Sequence, residues 1–372
     1  MKLGILCTMI NGFGRRGYYN SQEIGLGRAL ARKGHEVMIY KGIDPSEKEE
    51  KVQVEKNLTI WYLPMKHLGA HGFMDCKNLD PQLKALFCFG DQQIFLPHVY
   101  RWCRRRRIPF AAYVGTAHSL DSNFKSKVMN ALFAAGTLRI YKKNPVLAKT
   151  SAAKEELRQL GVPHAVIAPV GLDTAVLKKN IPADEKMRLR KEHGFEADDV
   201  ILCNVSRLSW EKRPLELIDL FLQVKGKKKF KLIIVGNGPL EEELNEKIRK
   251  NGLEKEVKIY PNVPYEKMWE IYEMSDYYLN MNKGEIFGMA IMEAVYYKTS
   301  VAAIRALGPS VTLKDMKEHK LCENDDEMAE WITGPYPSEK DLQESSEKMA
   351  ATFTWDRCAD AFLQASSEKS SR

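Results

Sequence analysis

The chain alternates short apolar runs with longer amphipathic stretches over most of its length. In the first half, apolar runs typical of buried strands occur at residues 3–9, 36–40, 58–63, 86–89, 109–114 and 146–148. Between the first two, the pattern predicts a helix from Ser21 to Lys33 that ends at Gly34, because glycine favours the left-handed conformation that often follows a helix. Strands separated by helical stretches pair in parallel, so this half predicts a doubly wound sheet.

The same alternation restarts after a polar connection at residues 178–196. Strands are predicted at 200–205, 231–235, 257–260 and 277–281, and helices at 214–224, 241–251 and 268–274, with a further helix beginning near Phe287. The pattern therefore predicts an α/β protein with two Rossmann-like doubly wound domains joined near residues 171–185. Ligands of such sheets bind outside the carboxyl ends of the strands, so we expect the active site in a cleft between the domains.

Composition limits the class of protein. The 372 residues, 44% of them hydrophobic, suffice for two cores of ordinary size. The seven cysteines are scattered, odd in number and without a Cys-x-x-Cys pair, which predicts reduced thiols in the cytoplasm and no structural zinc. No apolar stretch reaches the roughly 18 residues that a membrane span needs, and we interpret the apolar start as a first strand rather than a signal peptide.

The net charge of +8 is distributed unevenly. Residues 1–180 carry 28 Lys and Arg against 14 Asp and Glu, whereas the remainder carries 29 against 35. A basic N-terminal half predicts an anionic partner. It lacks an aromatic-plus-basic recognition motif or a zinc finger, so we expect a membrane face or a phosphorylated acceptor and no nucleic acid.

Two basic segments bear on that partner. The segment 122–143 mixes apolar residues with Lys and Arg, and a second segment is a dense cluster of arginines: Arg101, Arg104, Arg105, Arg106 and Arg107. A basic amphipathic helix can lie on anionic lipid. A helix packed on the sheet with a solvated basic rim explains the same pattern, and the sequence leaves both open.

The stretch from Glu285 to Glu293 carries the most specific chemical signal. The two carboxylates flank a Phe-Gly turn that opens an apolar helix, whose first N–H groups and positive dipole end suit a phosphate. At about 1.5 Å per residue, Glu293 lies roughly 9–12 Å from Glu285 along the helix. That spacing fits a sugar at one end and a ribose at the other, with a diphosphate between them.

Other candidates follow predicted strands. Arg207 and Lys212 follow the strand at 200–205, where two cations can bind a diphosphate and stabilise the charge that develops as it leaves; solvated surface cations are the alternative. Gly236 and Gly238 follow the strand at 231–235 and would let a nucleotide approach the backbone. His118 ends the apolar run at 109–118 and could bind a sugar hydroxyl or the reacting centre, although a lone histidine is more often structural.

A glycine-rich loop after the first strand offers a different interpretation. Gly12, Gly14 and Gly17 can be fitted to the Gly-x-Gly-x-x-Gly pattern of a nicotinamide-dependent dehydrogenase. Such a site also requires an acidic residue near position 40, but this chain has Tyr40 and Lys41 there. The dehydrogenase is therefore a remote alternative.

Four of these motifs, in this order, resemble a known family. Residues 207–212, 231–239, 260–264 and 285–293 are similar to motifs of the retaining GT-B glycosyltransferases of family four, the glycosyl transferases group 1. The resemblance extends from residue 1 to about 365. It implies an N-terminal acceptor-binding domain at 1–175, a C-terminal nucleotide-sugar-binding domain at 176–352 and a C-terminal helix at 353–372 that packs back on the first domain. It implies no metal and no other cofactor.

The resemblance also implies roles for single residues. Glu285 would bind the hydroxyls of the donor sugar, Glu293 the ribose and the loop containing Val263 the base. The remaining positions would hold the diphosphate or contact the sugar: Arg207, Lys212, Phe287, Gly288 and Met289 for the diphosphate, Gly14 approaching the phosphates from the first domain, and His118 on the sugar.

The implied activity is retaining transfer of a hexose from a nucleoside diphosphate sugar, with UDP favoured over GDP. The implied acceptor is a lipid-linked or cell-envelope saccharide. The expected location is the cytoplasm. If the basic segments bind lipid, the protein would lie on the inner face of the plasma membrane. A non-catalytic GT-B partner subunit is the alternative from another class.

Overall fold

The computed structural model describes residues 1–10, 21–117 and 124–367. The chain divides into two compact units. The first contains the described residues up to Gly171 together with those from Phe353 onward, and the second runs from Leu172 to Thr352. Each unit is built on a mainly parallel sheet with helices between successive strands, which confirms the predicted α/β fold class.

The sheet of the first unit has eight strands. Two further short strands form a separate hairpin. The ten strands are β1 (Lys2–Cys7), β2 (Glu36–Ile43), β3 (Glu50–Glu55), β4 (Leu58–Pro64), β5 (His67–Leu68), β6 (His71–Gly72), β7 (Ala85–Phe89), β8 (Phe110–Val114), β9 (Val146–Ala148) and β10 (Val166–Ile167). The order in the large sheet is β10-β9-β8-β7-β1-β2-β4-β3, and only β3 runs antiparallel to its neighbour.

The helices of this unit connect the parallel strands. They are α1 (Gln22–Arg32), α2 (Leu96–Arg106), α3 (Phe124–Ala135), α4 (Thr137–Tyr141) and α5 (Ser151–Gln159), with a 3₁₀ turn at Cys76–Asn78. Strands buried on both faces need continuous apolar sequence, which is why β8 is buried along its whole length.

The second unit has a six-stranded, all-parallel sheet. Its strands are β11 (Val200–Val205), β12 (Phe230–Val235), β13 (Val257–Tyr260), β14 (Tyr277–Asn280), β15 (Ser300–Ile304) and β16 (Lys320–Cys322). The order is β13-β12-β11-β14-β15-β16. This is the strand order of a Rossmann sheet, in which the chain direction across the sheet reverses between β11 and β14.

Eight helices accompany this sheet within the described residues. They are α6 (Glu185–Glu192), α7 (Pro214–Val224), α8 (Glu241–Lys250), α9 (Met268–Met274), α10 (Met289–Tyr296), α11 (Leu307–Thr312), α12 (Asp325–Thr333) and α13 (Glu339–Thr352), with 3₁₀ turns at Trp210–Lys212 and Tyr265–Lys267.

The last helix, α14 (Trp355–Ser367), returns to the first unit and packs on α1. Trp355 is fully buried against Gly25, where an added methyl group would lie 2.1 Å from the indole Nε1. Phe362 lies with its ring centre 4.6 Å from that of Phe87 and 5.4 Å from that of Tyr113. The predicted return of the C-terminal helix is thus confirmed.

The observed local structure differs from the sequence predictions in several places. The first strand ends at Cys7 rather than at residue 9. The edge strand β3 was not predicted, and the polar connection at 178–196 contains the helix α6. In α6 only Leu189 and Arg190 are buried, so its sequence lacks the apolar periodicity that marks most helices.

Candidate functional site

The site is built where the second sheet changes direction. β11 and β14 are neighbours, but their following connections lead to opposite sides of the sheet, which leaves a crevice at their carboxyl ends. Lys212 comes from the connection after β11, and Glu285 from the connection after β14. Lys212 Nζ lies 2.9 Å from Glu285 Oε2. The topology thus brings together two predicted site residues that are far apart in sequence.

Glu285 is held from several directions. The side chain of Asn282 donates to Glu285 Oε2 at 3.1 Å, and the Gly308 N–H donates to the Glu285 backbone carbonyl at 2.8 Å. Burial on its own would raise the pKa of Glu285, but Lys212 together with hydrogen bonds from Asn282 and Asn280 lowers it below the usual value. The group is therefore a carboxylate at neutral pH, fixed in position and able to accept hydrogen bonds.

The turn after Glu285 leads into α10. Gly288 has φ +87° and ψ +64°, a left-handed conformation that a right-handed helix cannot include, so α10 begins at Met289 and not near Phe287. Phe287 is buried and anchors the turn. The helix dipole and the first N–H groups of α10, which have no acceptor inside the helix, make this end favourable for an anion.

Gly308 packs directly against the backbone of this turn. A methyl group at Gly308 would lie 2.6 Å from the backbone nitrogen of Phe287 and 2.7 Å from its Cα. Only glycine allows the two backbones to approach so closely. The position of Glu285 therefore depends on the residue at 308, which sequence reasoning did not single out.

Arg207 has a different environment from Lys212. Its side chain is more than half exposed, and Nη2 lies 3.2 Å from Glu211 Oε1, whose other donor is the Ser209 hydroxyl at 2.6 Å. Exposed ion pairs of this kind contribute little to stability, so the guanidinium can exchange partners at small cost. Within the described residues, Lys212 forms an ion pair with Glu285. Arg207 forms a separate ion pair with Glu211.

The Gly-x-Gly turn has a structural reason of its own. A methyl group at Gly236, which has φ +142°, would lie 1.9 Å from the Ser206 carbonyl oxygen, and one at Gly238 would lie 2.4 Å from the Leu208 carbonyl oxygen. The Leu208 N–H also donates to the Asn237 carbonyl at 3.0 Å. The two glycines thus let this turn interlock with the segment containing Arg207. Close approach of a nucleotide to the same turn stays a prediction.

The loop at residues 261–264 is tied to the Gly-x-Gly turn. The Asn237 side-chain amide donates to the Pro261 carbonyl and to Asn262 Oδ1, both at 2.9 Å. Val263 is half-buried in this loop. The segments proposed for the base, the diphosphate and the sugar therefore belong to one hydrogen-bonded rim of the second sheet.

Glu293 lies on α10, about one turn beyond its start at Met289, and is only 5% exposed. Tyr272 donates to Glu293 Oε2 at 2.9 Å, and Tyr265 donates to Oε1 at 3.2 Å. Sequence reasoning missed both tyrosines. They contact Glu293 from 28 and 21 residues away in sequence, so no local pattern signalled them.

Glu293 and the two tyrosines line a cavity open to solvent. Its volume is about 410 Å³ when the space open to solvent is included. The other walls come from the 176–178 segment and from α9 and α10, and include Lys178, Trp269 and Tyr297.

Two predicted site residues, Gly14 and His118, lie outside the described residues. Among the residues that the structure describes, no group of three or more His, Cys, Asp or Glu side chains could hold a metal ion. The expected absence of a metal or cofactor stays a prediction.

The predicted basic surface lies on the first unit. Arg101, Arg104, Arg105, Arg106 and Arg107 are all exposed, and Arg106 stacks over the Trp102 ring at 4.7 Å. On α3, Phe124, Val128 and Leu132 are 82%, 42% and 47% exposed. None of the helices in the described ranges combines the length and hydropathy needed to cross a bilayer.

Comparison with known proteins finds a family match in the second unit. Residues 185–349 match the family described as Glycosyl transferases group 1. A D-inositol 3-phosphate glycosyltransferase of Xylanimonas cellulosilytica is 23% identical over 403 residues, covering 97% of this chain and 94% of that protein. An alpha-monoglucosyldiacylglycerol synthase of Acholeplasma laidlawii is 21% identical over 295 residues and covers 73% of each chain.

A similar fold occurs in the solved structure of HepE from Anabaena in complex with UDP and glucose. Its TM-score is 0.71 at 16% identity, covering 99% of this chain and 100% of that chain. Likeness at that identity establishes the fold. Residues 185–349 of this chain thus match the glycosyl transferases group 1, and its fold is GT-B.

Proposed function

We propose that this chain transfers a hexose from a nucleoside diphosphate sugar to a hydroxyl of a lipid-linked or cell-envelope saccharide, with retention of the anomeric configuration and UDP favoured over GDP. The observation that supports this most is the Lys212–Glu285 pair at 2.9 Å, at the carboxyl ends of β11 and β14 and next to the start of α10. This arrangement offers a cation, a helix N-terminus and a fixed carboxylate within one crevice.

Each group has a distinct part in the proposed reaction. Glu285 accepts hydrogen bonds from hydroxyls of the donor sugar, because it is ionised and fixed by Lys212 and Asn282. Lys212, Arg207 and the first N–H groups of α10 stabilise the charge that develops on the departing diphosphate. Glu293 binds the ribose, and the loop containing Val263 contacts the base.

The atoms balance without an added co-reactant. The bond between the anomeric carbon and the diphosphate oxygen breaks, and the acceptor oxygen forms the new bond on the same face. The acceptor proton passes to the departing diphosphate oxygen. The protein stabilises this leaving group and takes up no proton.

The names of similar proteins support the choice of substrates. HepE was solved with UDP and glucose, and the alpha-monoglucosyldiacylglycerol synthase of Acholeplasma laidlawii bears a glycolipid in its name. We therefore propose UDP-hexose as the donor and a lipid-linked saccharide as the first acceptor class to assay.

A nucleotide screen tests the proposal. UDP or GDP should raise the thermal midpoint of the wild-type protein, whereas NAD should not. The protein should also hydrolyse the matching nucleotide sugar slowly, because a retaining transferase lets some water reach its donor. Binding without hydrolysis or transfer would favour a non-catalytic partner subunit, and protection by NAD alone would favour the dehydrogenase.

Two substitutions assign the roles. Arg207→Ala and Lys212→Ala should each reduce turnover on the order of 10²–10³-fold, the usual effect of removing one donor that stabilises transition-state charge. Lys283→Ala, an exposed lysine two residues before Glu285, should keep wild-type turnover. Full activity in both test variants would contradict the assigned roles.

We also propose that the first unit binds the surface of an anionic membrane. Phe124, Val128 and Leu132 follow one another at four-residue intervals, so they form one exposed apolar stripe on α3. Lys127 is exposed on the same helix, and the arginines of α2 add positive charge to the same unit. An apolar stripe with basic flanks is the pattern of a helix that lies in the lipid headgroup region.

A further inference from the structure

Both carboxylate oxygens of Glu293 are engaged by tyrosine hydroxyls. Tyr272 Oη donates to Oε2 at 2.9 Å, and Tyr265 Oη donates to Oε1 at 3.2 Å. A carboxylate that is only 5% exposed needs such donors, because burial without them carries a large desolvation cost. A ribose hydroxyl that is to bind Glu293 therefore meets a carboxylate oxygen that already accepts a hydrogen bond from a tyrosine.

The two tyrosines are mounted differently. Tyr272 lies in α9, is fully buried and stacks on Tyr297 with 5.9 Å between ring centres. Tyr265 is half-buried and lies at the start of the short 3₁₀ turn Tyr265–Lys267, directly after the loop at 261–264. The hydrogen bonds of such a turn are weaker than those of an α-helix. Of the two hydroxyls, the one of Tyr265 can leave Glu293 more easily.

The cavity beside Glu293 gives the Tyr265 ring a place to move into. Tyr265 and Glu293 line the same cavity, which opens to solvent, and Trp269 and Lys178 form parts of its other walls. The Lys178 ammonium lies 5.5 Å from the centre of the Trp269 ring. The ring of Tyr265 can therefore turn away from the carboxylate and remain in contact with aromatic side chains.

We propose that the Tyr265 hydroxyl holds the place of a ribose hydroxyl on Glu293, and that a ribonucleotide binds by displacing it. This inference rests on the proposed function, in which Glu293 binds the ribose. The exchange replaces one neutral O–H donor to the carboxylate by another, and no proton is transferred. Tyr265 thus lowers the affinity for a ribonucleotide, because its hydrogen bond to Glu293 must break before a ribose hydroxyl can form one. It therefore sets how strongly the site distinguishes a ribose from a sugar that lacks those hydroxyls.

The protonation of Tyr265 is consistent with this exchange. Burial first, and then the charge of Glu293, raise the pKa of the Tyr265 hydroxyl well above its usual value. The hydroxyl is a donor over the whole range in which the protein is assayed. The competition should therefore not depend on pH between about 6 and 9.

The test is the affinity of Tyr265→Phe for a ribonucleotide. The substitution keeps the ring and removes the competing hydroxyl, so the variant should bind UDP more tightly than the wild type, on the order of tenfold. The gain should disappear with 2′,3′-dideoxy-UDP, which has no ribose hydroxyl to take the vacated position. Calorimetric titration measures both affinities, and GDP with its dideoxy analogue replaces UDP if the wild type prefers guanine.

Tyr272→Phe is the matched control. It removes the donor on the other oxygen, which stays in place whether or not nucleotide is bound. This variant should have a lower thermal midpoint and should show no selective gain for UDP over the dideoxy analogue. Equal or weaker binding of UDP by Tyr265→Phe, or an equal gain with the dideoxy analogue, would overturn the inference.

Fluorescence gives a second measurement that does not depend on a change in affinity. Trp269 lines the cavity that the displaced ring enters, so saturating UDP should change the tryptophan emission of the wild type. The change should be lost in Trp269→Phe. Binding of UDP with no contribution from Trp269 would contradict the displacement. A wild type that binds neither UDP nor GDP would instead refute the proposed function.

Discussion

The ion pair between Lys212 and Glu285 makes the stability of the second unit depend on pH. The pKa of Glu285 is lower in the folded protein than its ordinary value of 4.5. A carboxyl group of this kind contributes stability that is fully present above the unfolded pKa and is lost as the pH falls through the folded one. The two side chains are 24% and 16% exposed, so solvent screens the pair only in part.

We predict that Lys212→Ala lowers the free energy of unfolding by about 2 kcal/mol at pH 7, since it leaves a mostly buried carboxylate without its cation. The loss should shrink as the pH falls below 4.5 and through the lower pKa of folded Glu285, because the carboxylate then takes up a proton in both proteins. Urea denaturation across this pH range measures the difference.

Arg207→Ala is the control for this experiment. Its partner Glu211 is 54% exposed, and pairs of this kind contribute on the order of 0.5 kcal/mol or less. The unfolding of this variant should follow that of the wild type at every pH. A loss in Lys212→Ala that is the same at pH 3 and pH 7 would show that the stabilisation does not come from the charge of Glu285.

Single residues differ in how well the sequence predicts them. Lys212 and Glu285 were identifiable because each follows a strand of a parallel sheet, and such strands end at one edge. The tyrosine donors of Glu293 were not, because Tyr265 and Tyr272 approach it from 28 and 21 residues away in sequence. Contacts of that kind depend on how α9 packs on α10, which no local pattern records.

At the scale of elements, the turn from Glu285 to Met289 rests on α11. Gly308 packs directly on the backbone of Phe287 and donates its N–H to the Glu285 carbonyl. We predict that Gly308→Ala reduces turnover at least tenfold and costs about 1–3 kcal/mol of stability, because the new methyl group must push the turn away. Steady-state kinetics and urea denaturation measure the two effects.

Gly334→Ala is the matched control for this substitution. Gly334 has φ −69°, and a methyl group there would lie 3.4 Å from its nearest neighbours, an ordinary van der Waals distance. This variant should keep its activity and its stability. Wild-type turnover in Gly308→Ala would mean that the turn carrying Glu285 does not need its present position.

Two of the elements that the sequence did not predict, α6 and β3, have few buried apolar residues. Two basic side chains of α6 form ion pairs with Asp276, which is distant in sequence: Arg190 at 2.6 Å and Lys186 at 2.9 Å. β3 is an edge strand in which Val52 and Val54 are only half-buried. Both are held by partners from elsewhere in the chain, so hydrophobic periodicity could not reveal them.

At the scale of the whole molecule, alternation of strands and helices was sufficient to predict two doubly wound sheets. Parallel pairing requires a crossover between strands, and the connections in this chain are long enough to supply one. The charge asymmetry was also visible in the sequence. What the charge binds was not, because a solvated rim and a lipid-binding face have the same composition. The exposed side chains of Phe124, Val128 and Leu132 are the reason for proposing the lipid-binding face.

The apolar stripe of α3 gives the membrane proposal a quantitative test. Replacement of Phe124, Val128 and Leu132 by Ser removes the side chains that would enter the lipid, while Met129 and Phe133 keep the inner face of the helix packed. Burial of an apolar side chain is worth about 1.5–3 kcal/mol, so even partial insertion of three predicts a loss of vesicle binding of at least tenfold. The arginines of α2 supply the attraction to anionic headgroups, and this part should weaken at high salt. Co-sedimentation with phosphatidylglycerol-containing and pure phosphatidylcholine vesicles separates the two contributions.

Tyr336→Ser, which removes a single aromatic ring that is 63% exposed in the second unit, is the control and should bind vesicles like the wild type. If the triple variant also binds like the wild type, α3 is not the inserting element. If the wild type does not bind anionic vesicles, the basic half of the chain binds a soluble anionic acceptor instead. The exposed stripe would then need a protein partner, because three large apolar side chains on one helix face form a patch that a solitary exposed residue does not.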